Sequence, residues 1–428
     1  MASTALLTDR YELTMLASAL RDGSAGRHCV FETFARRLPE GRRYGVVAGT
    51  GRLLDVLESF RFGPDELTAL AAAGIDAATL DALADWRFTG DVDGYAEGEL
   101  YFPGSPVVTV TGTFGEAVLL ETLVLSVLNH DCAVASAAAR MVVAAGDRPL
   151  IEMGSRRAQE EAAVAAARAA YLAGFASTSN LEAGRRHGIP TAGTAAHAFT
   201  LLHESEAAAF KAQVETLGTG TTLLVDTYDI AQGIRTAVEV AGPGLGAVRI
   251  DSGDLTVLAR QAREQLDTLG ATGTRIVLSG DLDEWALAAL ASAPVDAYGV
   301  GTSVVTGSGA PTAGMVYKLV EVDGRPVAKR SEHKSTHGGR KTAVRRHRET
   351  GTATEEVLVP ARARPGLSPN DRLLQRPLMR GGERVAGLPA LDESREHLRR
   401  ALRSVPWEGL KLSRGEPALP TVLVEESP

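Results

Sequence analysis

The chain has 428 residues, of which 44% are hydrophobic and 23% are charged. That length allows two or three domains with a large buried core, and the composition excludes a disordered or fibrous protein. The net charge of -8 favours solubility and argues against nucleic acid as the main partner. Cys29 and Cys132 lie far apart without zinc-ligand spacing, which predicts a reducing, cytoplasmic environment and no structural zinc.

The first 117 residues are predicted to form a mixed α+β domain. Asp9, Arg10 and Glu12 precede any apolar run, which argues against a signal peptide. The apolar stretch 117–145 is interrupted by charged residues and predicts buried helices, not a membrane span. The remaining predicted elements are helices over 11–20, 53–60 and 64–73 and strands over 29–35 and 102–112.

Residues 118–315 are predicted to form one domain of repeating βα units. Short apolar runs, each followed by a polar or glycine-bearing turn and a helical segment, recur at roughly 20–30 residue intervals. The runs are 149–153, 171–176, 189–192, 223–225, 247–250, 276–278 and 297–300. This pattern predicts an irregular or incomplete parallel α/β barrel, with a doubly wound open sheet as the alternative.

Polar turns follow these predicted strands, at the edge where the carboxyl ends of parallel strands meet. One of them contains Gly193 and Thr194 and delivers the imidazole of His197, which suits phosphoryl or proton exchange. A histidine that is simply hydrogen-bonded in a strand–helix corner would show the same pattern. The small residues of turns 279–280 and 299–303 predict a monophosphate site, unless glycine serves only to close tight loops.

Charged residues in the same turns suggest how a sugar phosphate would be held. Arg156 and Arg249 suit a bidentate grip on a carboxylate or phosphate, with a buried ion pair as the alternative. The aspartates would bind ribose hydroxyls or Mg²⁺ carrying pyrophosphate, unless they only cap the following helices. They are Asp226, Asp229, Asp251, Asp254 and Asp281, of which the last two are the predicted caps.

The missing motifs narrow the chemistry further. Lys211 is the only lysine between positions 150 and 302, which disfavours a Schiff-base aldolase. HExxH, GxSxG and Walker A motifs do not occur. The inventory suits a reaction in which a sugar-phosphate leaving group departs and electrostatic stabilisation lowers the barrier.

Residues 316–428 are predicted to form a small C-terminal region. The sequence is β-like from position 316, and its basic stretch 325–346 has no interleaved aromatics, so a nucleic-acid surface is not favoured. The basic stretch is interpreted either as a solvated edge or as a phosphate-facing flap. A helix is predicted over 392–403, and no chemistry is assigned to the last 80 or so residues.

Several ordered motifs resemble those of nicotinate phosphoribosyltransferases, over residues 8 to about 345. They are TDRYELTM at 8–15, GSRRA at 154–158, GFASTSNLEAG at 174–184, GTAAH at 193–197, and the segments 225–229, 249–254 and 299–302. The resemblance implies a type II phosphoribosyltransferase with a mixed N-terminal domain on an irregular barrel. Such an enzyme joins nicotinate to 5-phosphoribosyl 1-diphosphate, with ATP hydrolysis coupled through a phosphohistidine, here His197.

The resemblance also implies roles for individual residues. Tyr11 would cover the pyridine ring, reaching across a homodimer interface, while Arg249 and Thr194 would hold nicotinate and Arg156 would add charge nearby. At the sugar-phosphate end, the implied residues are Asp251 at the ribose, Ser279, Gly280, Gly301 and Thr302 at the 5-phosphate, and Asp226 and Asp229 near pyrophosphate and Mg²⁺.

Two departures from the family pattern stand out. Met153 occupies a position where relatives often place an aromatic ring, and segment 333–341 lacks the usual Pro-Gly turn. Nicotinate is favoured over nicotinamide because segment 177–180 has no carboxylate to receive an amide. Quinolinate phosphoribosyltransferase is a rival reading, although this barrel lacks the lysines expected for two carboxylates. A phosphate-binding barrel isomerase and a nucleotide sensor are the alternatives from other classes.

Overall fold

The computed structural model describes residues 4–329, 337–363 and 366–424. The chain divides into a discontinuous unit, Met1–Ser136 with Ala310–Pro428, and a barrel unit, Ala137–Gly309. We predicted three consecutive domains, 1–117, 118–315 and 316–428. The structure instead joins both ends of the chain in one unit, because strands from both ends are hydrogen-bonded in the same sheet.

The strands and helices are numbered along the chain. The strands are β1 His28–Ala35, β2 Gly45–Val46, β3 Asp91–Tyr95, β4 Leu100–Tyr101, β5 Val108–Thr113, β6 Leu150–Glu152, β7 Ser177–Thr178, β8 Thr222–Leu224, β9 Ala247–Ile250, β10 Arg275–Leu278, β11 Ala297–Val300, β12 Met315–Val322, β13 Arg325–Pro326, β14 Lys341–His347, β15 Ala353–Pro360, β16 Arg372–Leu373, β17 Gln375–Arg380, β18 Glu383–Arg384 and β19 Thr421–Leu423. The α-helices are α1 Arg10–Asp22, α2 Thr50–Ser59, α3 Pro64–Ala72, α4 Ala77–Ala84, α5 Phe114–Ala117, α6 Glu121–Ala145, α7 Glu160–Ala173, α8 Leu181–His187, α9 His197–Leu202, α10 Glu206–Leu217, α11 Ile230–Ala241, α12 Leu255–Thr268, α13 Glu284–Ala289, α14 Thr302–Val305 and α15 Leu391–Ser404.

The discontinuous unit is organised around a seven-stranded sheet in the order β13-β12-β1-β5-β3-β17-β18. Within this sheet, β1 pairs antiparallel with β5 on one side and with β12, almost 300 residues later, on the other. Residues 29–33 of β1 are all buried, as expected for a strand covered on both faces. The predicted helices over 11–20, 53–60, 64–73 and 392–403 correspond to α1, α2, α3 and α15.

The barrel unit contains a curled six-stranded parallel sheet in the order β7-β6-β11-β10-β9-β8. Most of these strands are only three or four residues long and largely buried, so each reads as a short apolar run. Among the described residues the ladder ends at β7 and β8, which makes this an incomplete barrel. The fold class predicted from the sequence is therefore confirmed.

Two of the predicted barrel strands were wrong. Residues 171–173 are the last turn of α7, and Gly174 ends that helix in a conformation with φ of 127°. An alanine-rich helix that is buried on nearly all sides lacks a polar face, so its end resembles a buried strand. The predicted strand at 189–192 is reduced to one bridge, between Thr191 and Thr178.

One helical stretch, Phe114–Ala145, passes a test for membrane-spanning length and apolarity, with a mean hydropathy of 1.5. Of its most apolar window, 61% is buried within the protein. Core helices of water-soluble proteins meet the same criteria, and Glu121, Asp131 and Arg140 interrupt this one. We therefore describe α6 as a buried helix, as the sequence predicted.

Candidate active site

The side chain of Arg249 is the centre of a hydrogen-bonded cluster at the carboxyl ends of the barrel strands. It leaves β9 and is only 12% exposed. Its Nε donates to Ser279 Oγ at 2.7 Å, and its Nη1 donates to Thr194 Oγ1 at 2.8 Å. Its Nη2 lies 2.9 Å from Asp251 Oδ1. A planar guanidinium bonded in three directions has a fixed orientation, which is what recognition of a carboxylate requires.

Asp251 is held in this cluster by two donors on a single oxygen. Ser279 Oγ donates to Asp251 Oδ1 at 2.5 Å, beside the bond from Arg249. Burial alone would raise the pKa of Asp251, but the bond from Ser279 and the charge of Arg249 outweigh it and lower that pKa. The carboxylate therefore stays charged at neutral pH. Its Oδ2 is the oxygen left to meet a ligand hydroxyl.

His197 is the first residue of α9, and its ring contacts the turn after β8 that contains Asp226 and Thr227. Its Nδ1 is 3.1 Å from Thr227 Oγ1, and its Nε2 is 3.8 Å from Asp226 Oδ1. The imidazole is 40% exposed, whereas the Asp226 side chain is fully buried. In the tautomer whose Nδ1 donates to Thr227 Oγ1, the lone pair is on Nε2, the nitrogen closer to Asp226.

Asp226 connects this histidine to the Arg249 cluster. Its Oδ2 accepts from the backbone N–H of Asp251 and from Ser252 Oγ, both at 2.8 Å. Its Oδ1 is buried and makes no hydrogen bond to any described residue. A buried carboxylate oxygen without a donor is costly, and a divalent cation would satisfy it. Asp226 therefore fits one ligand position of Mg²⁺.

The described residues contain no group of three or more His, Cys, Asp or Glu side chains that could hold a metal. Asp229, the second predicted ligand, is exposed and caps α11, with its Oδ1 accepting from Gln232 N at 2.7 Å. A site with one or two carboxylates agrees with the way Mg²⁺ binds together with substrate phosphates and water. Such an ion would depend on the substrate for most of its ligands.

The predicted phosphate turns follow β10 and β11. Gly280 has φ of 107°, and a Cβ there would lie 2.2 Å from the carbonyl oxygen of Asp251, so only glycine fits. Gly301 comes directly after β11, and the exposed Thr302 begins α14. Both turns lie at the carboxyl edge of the sheet that also carries Arg249.

Arg156 and Tyr11, like Asp229, lie outside the hydrogen-bonded cluster. Arg156 is exposed in the 3-10 turn Ser155–Arg157 after β6, and no described residue bonds its guanidinium. Tyr11 belongs to the discontinuous unit, where it is 45% exposed on α1. Burial and the carboxylates of Glu121 and Glu12 raise its pKa. The predicted flap falls partly on residues 330–336, which are outside the described residues.

Three residues that bond the predicted site residues or their turns were not predicted from the sequence, and one helix N-cap was assigned to the wrong aspartate. Thr227, Ser252 and Glu152 were not predicted, although the first two stand beside predicted aspartates. Asp254 caps α12 as expected, with its Oδ1 accepting from Val257 N. The cap of α13 is Asp283, not Asp281, which instead adopts φ of 46°.

Comparison with known proteins identifies the family. The nicotinate phosphoribosyltransferase N-terminal domain family matches residues 6–129. The chain is 66% identical over 424 residues to nicotinate phosphoribosyltransferase pncB1 of Mycobacterium tuberculosis, covering 97% of this chain and 94% of that protein. The chain belongs to the nicotinate phosphoribosyltransferase family. A relative from Bacillus subtilis is 38% identical over 359 residues, covering 80% of this chain and 73% of that one. The crystal structure of human nicotinic acid phosphoribosyltransferase superposes with a TM-score of 0.85 at 28% identity and covers 98% of both chains.

In this member of the nicotinate phosphoribosyltransferase family, side chains from separate strand ends converge as the motifs suggested. Thr194, Arg249, Asp251 and Ser279 form one bonded cluster, and Asp226 links it to His197. The site therefore combines an oriented guanidinium, an ionised carboxylate and a half-exposed imidazole within one small region.

Proposed function

We propose that the protein joins nicotinate to 5-phosphoribosyl 1-diphosphate, giving nicotinate mononucleotide and pyrophosphate. The observation that carries this proposal is the Arg249 guanidinium, bonded in three directions at the mouth of the barrel. A rigid, permanently charged fork suits the planar carboxylate of nicotinate, and a phosphate sensor would need no such orientation. The names of the relatives support the same activity.

The geometry supports a division of labour along the cluster. Arg249, with Thr194 beside it and Arg156 nearby, would hold the nicotinate carboxylate. Asp251, whose Oδ1 is already bonded twice, would offer Oδ2 to a ribose hydroxyl and favour positive charge developing on the sugar. The pyridine nitrogen would then attack the anomeric carbon as the bond to pyrophosphate breaks. Ser279, Gly280, Gly301 and Thr302 would receive the 5-phosphate.

The proposal includes ATP coupling through His197. The Nε2 lone pair would attack the γ-phosphorus of ATP, forming an N–P bond while the bond to ADP breaks, and water would later release phosphate. The contact between Nδ1 and Thr227 Oγ1 is compatible with the tautomer in which Nε2 carries the lone pair. Mg²⁺, held by Asp226 with Asp229 nearby, would neutralise phosphate charge when bound.

The biological setting is also a proposal. Formation of nicotinate mononucleotide would place the enzyme at the first step of NAD salvage from nicotinate, in the cytoplasm. A homodimer in which Tyr11 covers the ring of the other subunit's ligand is supported by the exposure of Tyr11 at 45% and of Leu7 at 73%. Sedimentation of the purified protein would test the dimer, and a monomer at assay concentration would contradict it.

One assay tests the central proposal. The purified protein is supplied with the diphosphate donor and Mg²⁺, with nicotinate, nicotinamide or quinolinate as acceptor, and with or without ATP. Of the three acceptors, we expect only nicotinate to be converted to nicotinate mononucleotide, and we expect the product to form faster when ATP is present. Preference for nicotinamide or quinolinate would favour the rival transferases. Binding of the diphosphate donor without turnover would favour a nucleotide sensor. A protein that neither binds nor converts the donor would favour an isomerase.

A further inference from the structure

Glu152 is a buried carboxylate at the mouth of the barrel that the proposed reaction does not use. It is the last residue of β6 and is 1% exposed. Its Oε2 accepts from Thr178 Oγ1 and its Oε1 accepts from the backbone N–H of Gly154, both at 2.5 Å. No lysine, arginine or histidine among the described residues is paired with it. A buried acid without a cation needs a reason to be there.

The two donors to Glu152 belong to two different strand-end turns. Gly154 opens the turn that carries Arg156, and Thr178 ends β7, immediately before the turn that starts α8. Thr178 Oγ1 also accepts from Asn180 N at 3.0 Å, and Asn180 Nδ2 donates to Ser155 Oγ at 3.0 Å. The bonds therefore form a closed circuit that runs from Glu152 through both turns and back.

Packing leaves these turns little freedom to shift. A Cβ at Gly154 would lie 2.9 Å from Glu152 Oε1 and 2.2 Å from the Val305 side chain. The backbone carbonyl of Glu152 accepts from Ser179 N at 2.8 Å. Glu152 thus contacts one turn through its side chain and the other through both side chain and backbone. Moving its carboxylate would displace both turns.

We propose that Glu152 is a positioning residue that holds the Arg156 turn and the Asn180 turn in register for substrate binding. The inference rests on the proposed function, because it assigns Arg156 to the nicotinate carboxylate. Arg156 has no bonded partner of its own among the described residues, so its location depends on its turn. Glu152 itself would not touch the substrate and would act through the backbone that it anchors.

The bonding pattern predicts which replacement should work. A glutamine could accept from Gly154 N through its oxygen and donate from its amide to Thr178 Oγ1, preserving both links. Burial raises the pKa of Glu152, so an uncharged side chain suits this site. An alanine would lose both links, and a valine at Thr178 would lose one of them.

The test compares Glu152→Gln, Glu152→Ala and Thr178→Val with the unaltered enzyme. Gln213→Ala is the matched control, since Gln213 is also buried and bonds Thr221 and Thr222 at the amino end of β8. Steady-state kinetics would give kcat and KM for nicotinate and for the diphosphate donor. Thermal unfolding would be measured in parallel to separate positioning from general stability.

We expect Glu152→Ala to raise the KM for nicotinate about tenfold or more, with kcat changed far less, because ground-state binding is what is lost. Thr178→Val should give a smaller rise in the same direction, and it keeps the test open if Glu152→Ala does not fold. Glu152→Gln should stay within about threefold of the unaltered enzyme, and Gln213→Ala should lower stability without raising KM.

Two kinds of failure are distinguishable. An unchanged KM for nicotinate in both Glu152→Ala and Thr178→Val would overturn the positioning role, as would an equal rise in Gln213→Ala. A wild-type enzyme that forms no nicotinate mononucleotide would instead overturn the proposed function.

Discussion

Arg249 and Asp251 are two positions apart at the end of β9, and their side chains meet at 2.9 Å between Nη2 and Oδ1. Alternate residues of a strand point to the same face, so the pair is set by local chain geometry. The charge of Arg249 favours the ionised form of Asp251, each side chain holds the other in place, and Ser279 bonds both. The pair therefore acts as one unit, with its cation facing an acid and its anion facing a sugar.

Arg249→Lys should raise the KM for nicotinate by roughly tenfold to a hundredfold. A lysine ammonium cannot reach Ser279, Thr194 and Asp251 in one fixed plane, so the oriented fork is lost although the charge remains. Steady-state kinetics with nicotinate as the varied substrate would measure the effect. Arg263→Lys is the control, because Arg263 also bonds three acceptors, Asp267, Thr274 and Ala271, near the amino end of β10. Similar nicotinate kinetics in both variants would contradict the assignment.

Gly280→Ala should reduce kcat/KM by about a hundredfold, because the new methyl group would push the Asp251 carbonyl away, and displacements near 1 Å have costs of that order. Gly270→Ala is the matched control. Gly270 also has a positive φ, of 76°, but a Cβ there meets nothing within 4 Å. It should lose roughly 1 kcal/mol of stability through backbone strain and keep its activity. Comparable activity in the two variants would show that the close contact is unimportant.

His197→Ala should abolish the stimulation of product formation by ATP while leaving some uncoupled turnover. The reason is that the imidazole would carry the phosphoryl group, whereas Arg249 and Asp251 would still bind the reactants. ATP with a radiolabelled γ-phosphate should label the unaltered protein. It should also label the control variant His203→Ala, because the His203 ring that this variant removes bonds the Phe199 carbonyl in the same segment. Full ATP stimulation in His197→Ala would remove the phosphohistidine assignment.

Asp226→Asn should raise the Mg²⁺ concentration needed for half-maximal activity by about tenfold. The reason is that the substitution removes the negative charge of a carboxylate whose Oδ1 makes no hydrogen bond to any described residue. Activity measured over a Mg²⁺ titration gives that midpoint. Asp254→Asn is a suitable control, since Asp254 caps α12 and asparagine caps helices equally well. An unchanged midpoint in Asp226→Asn would argue against this residue as a ligand.

Glu152→Gln should become more stable relative to the unaltered protein as the pH rises. Burial raises the pKa of Glu152 above its ordinary value of 4.5, so the folded state binds this proton more tightly than the unfolded chain does. The stabilisation that the folded, unaltered protein gains from binding this proton is complete below pH 4.5. It is lost as the pH rises through the pKa of Glu152 in the folded state. Denaturant unfolding at about pH 5, 6.5 and 8, all above the ordinary glutamate pKa, would measure the difference in unfolding free energy between the two proteins. Glu264→Gln, on the exposed face of α12, is the matched control for replacing one carboxylate by an amide.

The sequence predicted those parts of the fold in which a short apolar run is bounded by polar turns. Strands β9 and β11 begin and end where expected, because each is a buried run between a glycine-containing or polar loop and an aspartate or glycine. It could not predict the pairing of β1 with β12, since nothing in either strand encodes a partner almost 300 residues away. The predicted C-terminal domain is part of the discontinuous unit for that reason.

The site could be predicted to the level of residue types at strand ends, but not to the level of bonds. Thr194, Arg249, Asp251 and Ser279 were expected near one another because parallel strands place their carboxyl ends together. The role of Glu152 could not be seen, because it lies within an apolar run, where a single acid gives no periodic signal. Its partners, Thr178 and Gly154, come from two separate turns that only the sheet brings together.

The discontinuous unit has a consequence for how the protein is made. The barrel segment, 137–309, leaves the ribosome as one uninterrupted stretch and can begin to fold during translation. The first 136 residues cannot complete their central sheet until β12 and β17 have also been synthesised. During that interval one edge of β1 has no partner strand, and an unpaired strand edge is a site at which a nascent chain can associate with other chains.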